Sequence, residues 1–365
     1  MKIVVDCRMI GSGGIGSYVS EILPHLLEKN NCLLLGTHAQ CMDFVRSQNA
    51  EFCFCDTKPF SFSELRSLPR SVNEKIHQYD LFFSPYCNIP GNIHIPIVST
   101  IHDVVFLDFQ GLVGFWGKCA RKWFYERAIK KSERIVTVSE FSRERIKETL
   151  KCRKRIMVTP NGIPSYLLRS KSREDEEIGE RNEILFVGNV KKHKGLTILL
   201  DAFKTAVESG FSGKLVIVGN ADNFRTGDEE AAKKIRLLSE TGATSGKIEF
   251  TGRISNEKLR SLYVRALVLV QPSLYEGFGI PPLESLCVGT PALISDIPVF
   301  REVYEKLPVQ FFSAGNSSDL AQKLISSDFS RLSEKEIALA REKYSYKKSA
   351  EILSNSFKDI LGVDE

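Results

Sequence analysis

The sequence predicts an α/β protein made of two doubly wound, parallel-sheet domains in tandem. Short apolar runs alternate with helical stretches twice along the chain, the pattern of parallel strands buried on both faces and joined by crossover helices. Between the two series, from Ser165 to Asn182, the sequence turns polar and highly charged, as an interdomain linker does. A chain of 365 residues is also too long for one ordinary core and suits two.

The first series predicts strands at Lys2 to Asp6, Cys32 to Leu35, Phe52 to Cys55, Leu81 to Phe83, Ile97 to Ile101, Arg134 to Val138 and Ile156 to Val158. Helices are predicted at Tyr18 to Lys29, Gly117 to Ser132 and Ser142 to Leu150. The second series predicts strands at Ile184 to Val187, Leu215 to Val218, Ile248 to Phe250, Ala266 to Val270 and Ala292 to Ile294, with a helix at Leu196 to Glu208. Each half is a candidate Rossmann-like domain, 1–165 and 166–344. A last helix follows, with Ala350, Ile352, Leu353, Phe357 and Ile360 on its apolar side.

Hydrophobic content of 42% supports complete folding. Nine cysteines lie scattered without metal-ligand spacing, several in predicted strands or helices, and read as reduced core residues of a cytoplasmic protein. The N-terminus runs directly into a strand and no apolar run reaches membrane-spanning length, so the expectation is a soluble protein, attached at most to a membrane surface. From Lys118 to Arg155 there are fourteen Lys and Arg against five Glu. Trp116, Trp123, Phe124 and Tyr125 are interleaved with Lys118, Arg121, Lys122 and Arg127, a mixture that suits an anionic lipid interface or, more plainly, a solvated helix face. No recognition motif accompanies the charge, so nucleic acid is not an expected partner.

The segment Tyr275 to Glu284 is the most informative. Glu276 and Glu284, with seven residues between them, bracket a loop holding Gly277, Phe278, Gly279 and Ile280, followed by Pro281 and Pro282 where a helix would start. Glycines let backbone N–H groups approach a ligand, and the helix end favours negative charge; the flanking carboxylates accept hydrogen bonds from hydroxyls. A ligand carrying both phosphate and hydroxyls, such as a nucleotide sugar, fits. Gly11, Gly13 and Gly16 match the spacing of a dinucleotide-binding loop. Against NAD, Asp6 and Arg8 lengthen the turn, and the second strand ends in Gly36, Thr37 and His38 with no acid for a ribose hydroxyl.

The Glu276–Glu284 segment resembles the paired-glutamate motif of the retaining GT-B glycosyltransferases of family 4. Four further stretches fall in that family's order: Asp6 to Val19, Ser99 to Asp103, Val138 to Arg145, and Val187 to Leu196. The resemblance implies two Rossmann-like domains facing a cleft, with the C-terminal helix, 345–365, crossing back to the first. It places the backbone of Gly13, Gly14 and Gly16 toward donor phosphates and acceptor, and His102 against the donor sugar and its reaction centre. Asp103 either orients His102 or touches the acceptor; Ser139 only caps a helix. Lys194 matches one member of a basic pair that neutralises the donor diphosphate, while Asn189 stands where relatives commonly have arginine, leaving Lys191 or Lys192 to supply that charge. Arg253 either stacks on the nucleobase or faces solvent.

Glu284 is expected in the first helical turn, placed for the ribose hydroxyls, and Glu276 faces the sugar. Lys194 and the backbone donors would stabilise the leaving nucleoside diphosphate electrostatically. Neither a metal nor another cofactor is expected, only the nucleotide sugar as co-substrate. The resemblance is greatest to O-antigen mannosyltransferases, which implies GDP-mannose as donor, transfer with retention, and a glycan or lipid-linked oligosaccharide as acceptor at the inner membrane face. An NAD-type oxidoreductase and an inactive GT-B-like partner protein are the alternatives.

Overall fold

The computed structural model describes residues 1–169, 181–219 and 228–363, so the charged run Ser170 to Glu177 of the expected linker lies outside the described residues. The chain divides into two compact units. One comprises Met1–Asp108, Phe115–Gly162 and Ser345–Glu365, the other Phe109–Gly114 and Ile163–Tyr344.

The first unit is built on strands β1 (Lys2–Asp6), β2 (Asn31–Gly36), β3 (Ala50–Phe54), β4 (Leu81–Ser84), β5 (Ile97–Thr100), β6 (Arg134–Thr137) and β7 (Ile156–Val158). They form one sheet in the order β3-β2-β1-β4-β5-β6-β7, parallel at every pairing. The second unit has β8 (Glu183–Val187), β9 (Lys214–Val218), β10 (Ile248–Gly252), β11 (Val268–Gln271), β12 (Ala292–Ser295) and β13 (Val309–Phe312), ordered β10-β9-β8-β11-β12-β13 and again parallel. Both sheets reverse direction of growth once, between β1 and β4 and between β8 and β11. At such a reversal the loops leaving the carboxyl ends of the two central strands diverge and open a crevice for ligands.

The alternation of side chains along a strand gives the first sheet two apolar faces. Ile3 and Val5 of β1 join one cluster with helix α1 (Gly13–Leu27), while Val4 joins the other with helices α2 (Phe115–Lys131) and α3 (Glu140–Leu150). Strand boundaries differ from the sequence expectation by a residue or two, the usual scatter at element ends. Edge strand β13 has no counterpart in it: Gln310 interrupts its short apolar run, and of its four residues only Phe312 is fully buried. The second unit's first long helix is α4 (Leu196–Glu208).

Helix α5 (Ile280–Cys287) belongs to the second unit, and the final helix α6 (Tyr346–Leu361) to the first, where it packs beside α1. Its buried face is Tyr346, Ala350, Leu353 and Phe357, whereas Ile352 is 39% exposed. Phe357 is fully buried, with its ring 5.6 Å from that of Phe83 on β4. Phe357→Ala should destabilise the protein by about 3–5 kcal/mol, the usual cost of emptying a large aromatic site. Urea denaturation checks this; a loss under 1 kcal/mol would mean that α6 is only loosely docked.

Candidate active site

In the second unit the predicted residues gather at the β8–β11 reversal. After β8 the chain reaches a 3₁₀ turn, Lys192–Lys194, and then Gly195 with φ +66°. A Cβ on Gly195 would lie 2.0 Å from the carbonyl oxygen of Pro272, which follows β11, so only glycine lets the two loops touch. The His193 carbonyl then accepts hydrogen bonds from the N–H groups of Leu274 (2.7 Å) and Tyr275 (3.3 Å). Burial, aided by Lys194 and Lys191, pushes the His193 imidazole down to about 3, so it is neutral. These ties bring Lys194 Nζ to 2.7 and 2.8 Å from the two oxygens of Glu276. Ser273 Oγ donates to Glu276 Oε1 at 2.8 Å and is itself held by Gln271 Nε2 at 2.9 Å.

Beyond Glu276 the loop turns at Gly279, φ +81°, where a Cβ would lie 2.3 Å from the Phe300 ring. Helix α5 starts directly after it, with proline in its first turn. Gly277 is buried and Ile280 half-buried at the helix start. The Phe278 side chain is 3% exposed and packs edge-on against Tyr344, with ring centroids 5.3 Å apart. Its apolar ring gains more from the core than from a polar loop. Glu284 is not in the first turn, because Gly279 caps the helix and Glu284 is its fifth residue. There its carboxylate accepts from Tyr263 OH (2.5 Å) and Tyr166 OH (3.3 Å). Burial, reinforced by Glu284, pushes the Tyr263 hydroxyl well above its ordinary range. No motif pointed to these tyrosines, since hydroxyls that meet from a linker-side turn and a helix leave no spacing to read. Asn189 and Arg253 are both exposed, Arg253 just after edge strand β10; Lys191 is half-buried and Lys192 exposed.

In the first unit, Gly13, Gly14 and Gly16 are not a loop before a helix at Tyr18: α1 begins at Gly13. Gly16 carries no free N–H, because it donates to Ser12 O at 3.3 Å. What its missing side chain permits is close packing, since a Cβ would lie 2.6 Å from Met9 O and 2.7 Å from Gly11 N. Gly13 and Gly14 precede that first helical bond, and nothing lies within 4 Å of the Cβ each lacks. Asp6 and Arg8 do more than lengthen the turn. The buried Arg8 guanidinium pairs with Asp6 at 2.6 Å and Glu64 at 2.6 Å, and donates to Thr57 O at 2.9 Å.

His102 follows β5. Its Nε2 lies 2.9 Å from the carbonyl oxygen of Pro85, which can only accept, so Nε2 bears the proton. Burial pushes the imidazole down to about 4, against a raising contribution from that bond, and it is neutral at pH 7. Asp103 Oδ1 accepts from Val105 N–H at 3.0 Å and so fixes the start of the next short helix. Ser139 caps α3 by accepting from Ser142 N–H at 3.0 Å.

The basic segment is less free than its composition suggests. Lys118 Nζ donates to Leu107 O at 3.4 Å, Arg121 stacks 4.3 Å from the Phe106 ring centre, and Arg127 donates to the carbonyl of Ile89. Of the four cations assigned to a lipid face only Lys122 is exposed, 3.8 Å from Glu126. The aromatic part is exposed: Trp116 by 82%, Phe115 by 72% and Trp123 by 49%. Among the described residues no helix is long and apolar enough to cross a membrane, and no group of three His, Cys, Asp or Glu could hold a metal ion.

The Lys194–Glu276 pair has a testable energetic consequence. Removing one partner of a largely buried ion pair leaves the other charge uncompensated, whereas removing both is nearly neutral. Lys194→Met should therefore lower stability by about 2–4 kcal/mol, and the double variant with Glu276→Gln should recover most of it. Equal losses in single and double variants, read by urea denaturation, would show that the pair is not coupled.

A family model described as glycosyl transferases group 1 matches residues 169–348, and one described as glycosyltransferase family 4 matches residues 12–165. An O-antigen chain mannosyltransferase of Salmonella typhimurium is 29% identical over 206 residues, 56% of this chain and 53% of that protein. An O-antigen chain mannosyltransferase of Escherichia coli is 26% identical over 302 residues, covering 79% and 73%. A phosphatidyl-myo-inositol mannosyltransferase of Mycobacterium leprae is 29% identical over 238 residues, covering 63% and 57%. The chain thus spans little more than half the length of two of these three. A sucrose-phosphate synthase from Thermosynechococcus elongatus has a TM-score of 0.76 at 16% identity with both chains fully covered. An Anabaena protein solved with UDP and glucose has a TM-score of 0.70 at 15% identity, covering 98% of this chain and 99% of that one. Matched through both of its units, the chain belongs to the group 1, family 4 glycosyltransferases, with the two Rossmann-like domains of the GT-B fold.

Proposed function

We propose that this protein transfers a hexose, mannose from GDP-mannose, to a growing glycan or lipid-linked saccharide of a surface polysaccharide, with retention of anomeric configuration and without a metal ion. The observation that carries the reading is the Lys194–Glu276 pair at the sheet reversal. A diphosphate needs a cation and a hexose needs a carboxylate acceptor, and here the two satisfy each other until a donor supplies both. On donor binding Lys194 passes to the diphosphate and frees Glu276 for sugar hydroxyls; the lysine then stabilises the leaving phosphate as its charge develops. N–H groups at the start of α5 add fixed partial positive charge. Glu284, aligned by Tyr166 and Tyr263, accepts from the ribose. In the first unit, neutral His102 keeps an unprotonated Nδ1 that can accept from a substrate hydroxyl. The departing phosphate takes the acceptor proton during same-face attack. Mannose is favoured because the relatives named above are mannosyltransferases.

In a panel of nucleotide sugars run in EDTA, GDP-mannose should raise the melting temperature most. Glu284→Gln should raise its KM about tenfold, since a charge-assisted hydrogen bond becomes a neutral one while both tyrosines keep an acceptor. Stabilisation that requires Mg2+ or Mn2+, or a KM unmoved by the substitution, would refute the donor assignment.

The acceptor side rests on the exposed aromatics. Phe115, Trp116 and Trp123 on α2, beside Lys122, suit the headgroup level of an anionic cytoplasmic membrane face, where a lipid-linked acceptor is met. Phe115→Ser with Trp116→Ser should reduce sedimentation with anionic vesicles and slow transfer to a lipid-linked acceptor, leaving a short soluble acceptor unaffected. Equal slowing of both acceptors would show that the aromatics belong to the fold instead.

A further inference from the structure

The His102 imidazole is held by more than its hydrogen bond. Tyr18 of α1 presents to it at 4.9 Å between ring centroids and an interplanar angle of 88°, and Tyr86 lies at 6.3 Å on a tilt of 38°. Tyr18 is 1% exposed and is backed by Tyr346 of α6, 6.2 Å away. Its own hydroxyl is the unexpected feature. Burial pushes it up to about 12, while the nearby hydroxyls of Thr159 and Thr100 act in the opposite sense. Yet Tyr18 OH, Thr100 Oγ1 and Thr159 Oγ1 are all buried without a hydrogen-bond partner among the described residues. Thr100 ends β5 and Thr159 follows β7, so they stand on either side of β6.

Phe and Val would fill the same space without burying an oxygen. Buried hydroxyls gathered at one place form a polar anchor, since leaving any of them unpaired is costly. We propose that Tyr18 is a positioning residue for His102, anchored through its hydroxyl to those of Thr100 and Thr159, so that its ring holds the imidazole in a single orientation. The alternative is that Tyr18 only fills the core. The part played by His102 itself rests on the function proposed above; its orientation does not.

The test uses the full chain. In 15N NMR of the ligand-free protein, with the His102 signals assigned by their loss in His102→Gln, the wild type should show one neutral tautomer protonated at Nε2. Tyr18→Phe keeps the ring and removes the anchor. It should broaden those signals or reveal the Nδ1-protonated form, and lower kcat for GDP-mannose roughly tenfold with little change in KM, as a misplaced group does. Thr100→Val with Thr159→Val should have the same effect, and adding both to Tyr18→Phe should make it no worse, because all three hydroxyls belong to one anchor. An unchanged His102 spectrum in Tyr18→Phe, or a lower melting temperature with kcat intact, would overturn the proposal. If His102→Ala turns over GDP-mannose at the wild-type rate, the catalytic reading of His102 fails, while the spectra still decide the role of Tyr18.

Discussion

The contact between Lys194 and Glu276 depends on a backbone arrangement, and the second unit is arranged around it. Strands β8 and β11 are neighbours in space although two strands and their helices separate them in sequence. Their carboxyl-end loops meet only because Gly195 has no Cβ to strike Pro272, and they stay in register because one carbonyl, that of His193, takes two N–H groups from the opposite loop. A lysine from one loop and a glutamate from the other are thereby fixed bidentately. Desolvating two charges is costly unless geometry and extra hydrogen bonds offset it. Ser273 and Gln271 provide those bonds on the Glu276 side. The pair holds a cation and a carboxylate in mutual contact at the sheet reversal.

The first unit reaches a comparable end by different means. Beneath its glycine turn lies a buried arginine between two acids, with Asn88 Nδ2 donating to both carboxylates at 3.1 Å. The Arg8 carbonyl is in turn held by Gln40 Nε2 at 2.7 Å. The turn that leads into α1 is thus set by charge pairing below it and by the close approach of Gly16 to residues Met9 and Gly11. His102 is fixed by a carbonyl on one side and aromatic rings on two others. In both units a flexible or reactive group is placed by contacts that no short motif encodes.

That difference explains what could be read in advance. The two sheets were legible because buried parallel strands are continuous apolar runs, and the paired glutamates and lysine because loops at strand ends carry polar residues with glycines between apolar elements. The start of α1 was misjudged because glycine argues locally against helix, while its value here is tertiary: Gly16 admits a neighbouring backbone. Within the glycine loop the Phe278 ring turns into the core against Tyr344, a contact that no spacing predicts. In the basic segment, composition counts charges and cannot tell that Arg127 is bonded to the carbonyl of Ile89 or Arg121 stacked on the face of Phe106.

Tyr166 and Tyr263 show the same limit in the site itself. Glu284 stood out in the sequence as a bare carboxylate, yet the structure makes it the acceptor of two phenols, one of them fully buried. A carboxylate with both oxygens already engaged retains lone pairs for further donors but loses freedom to rotate. Its remaining acceptor directions are therefore fixed before any ligand arrives, which reduces the ordering cost of binding. Glu276 differs in kind, because the partner it holds is a charge that a phosphate can take over. In the proposed function the two glutamates of one motif thus do separate work: one offers a rigid acceptor, the other an acceptor released by exchange.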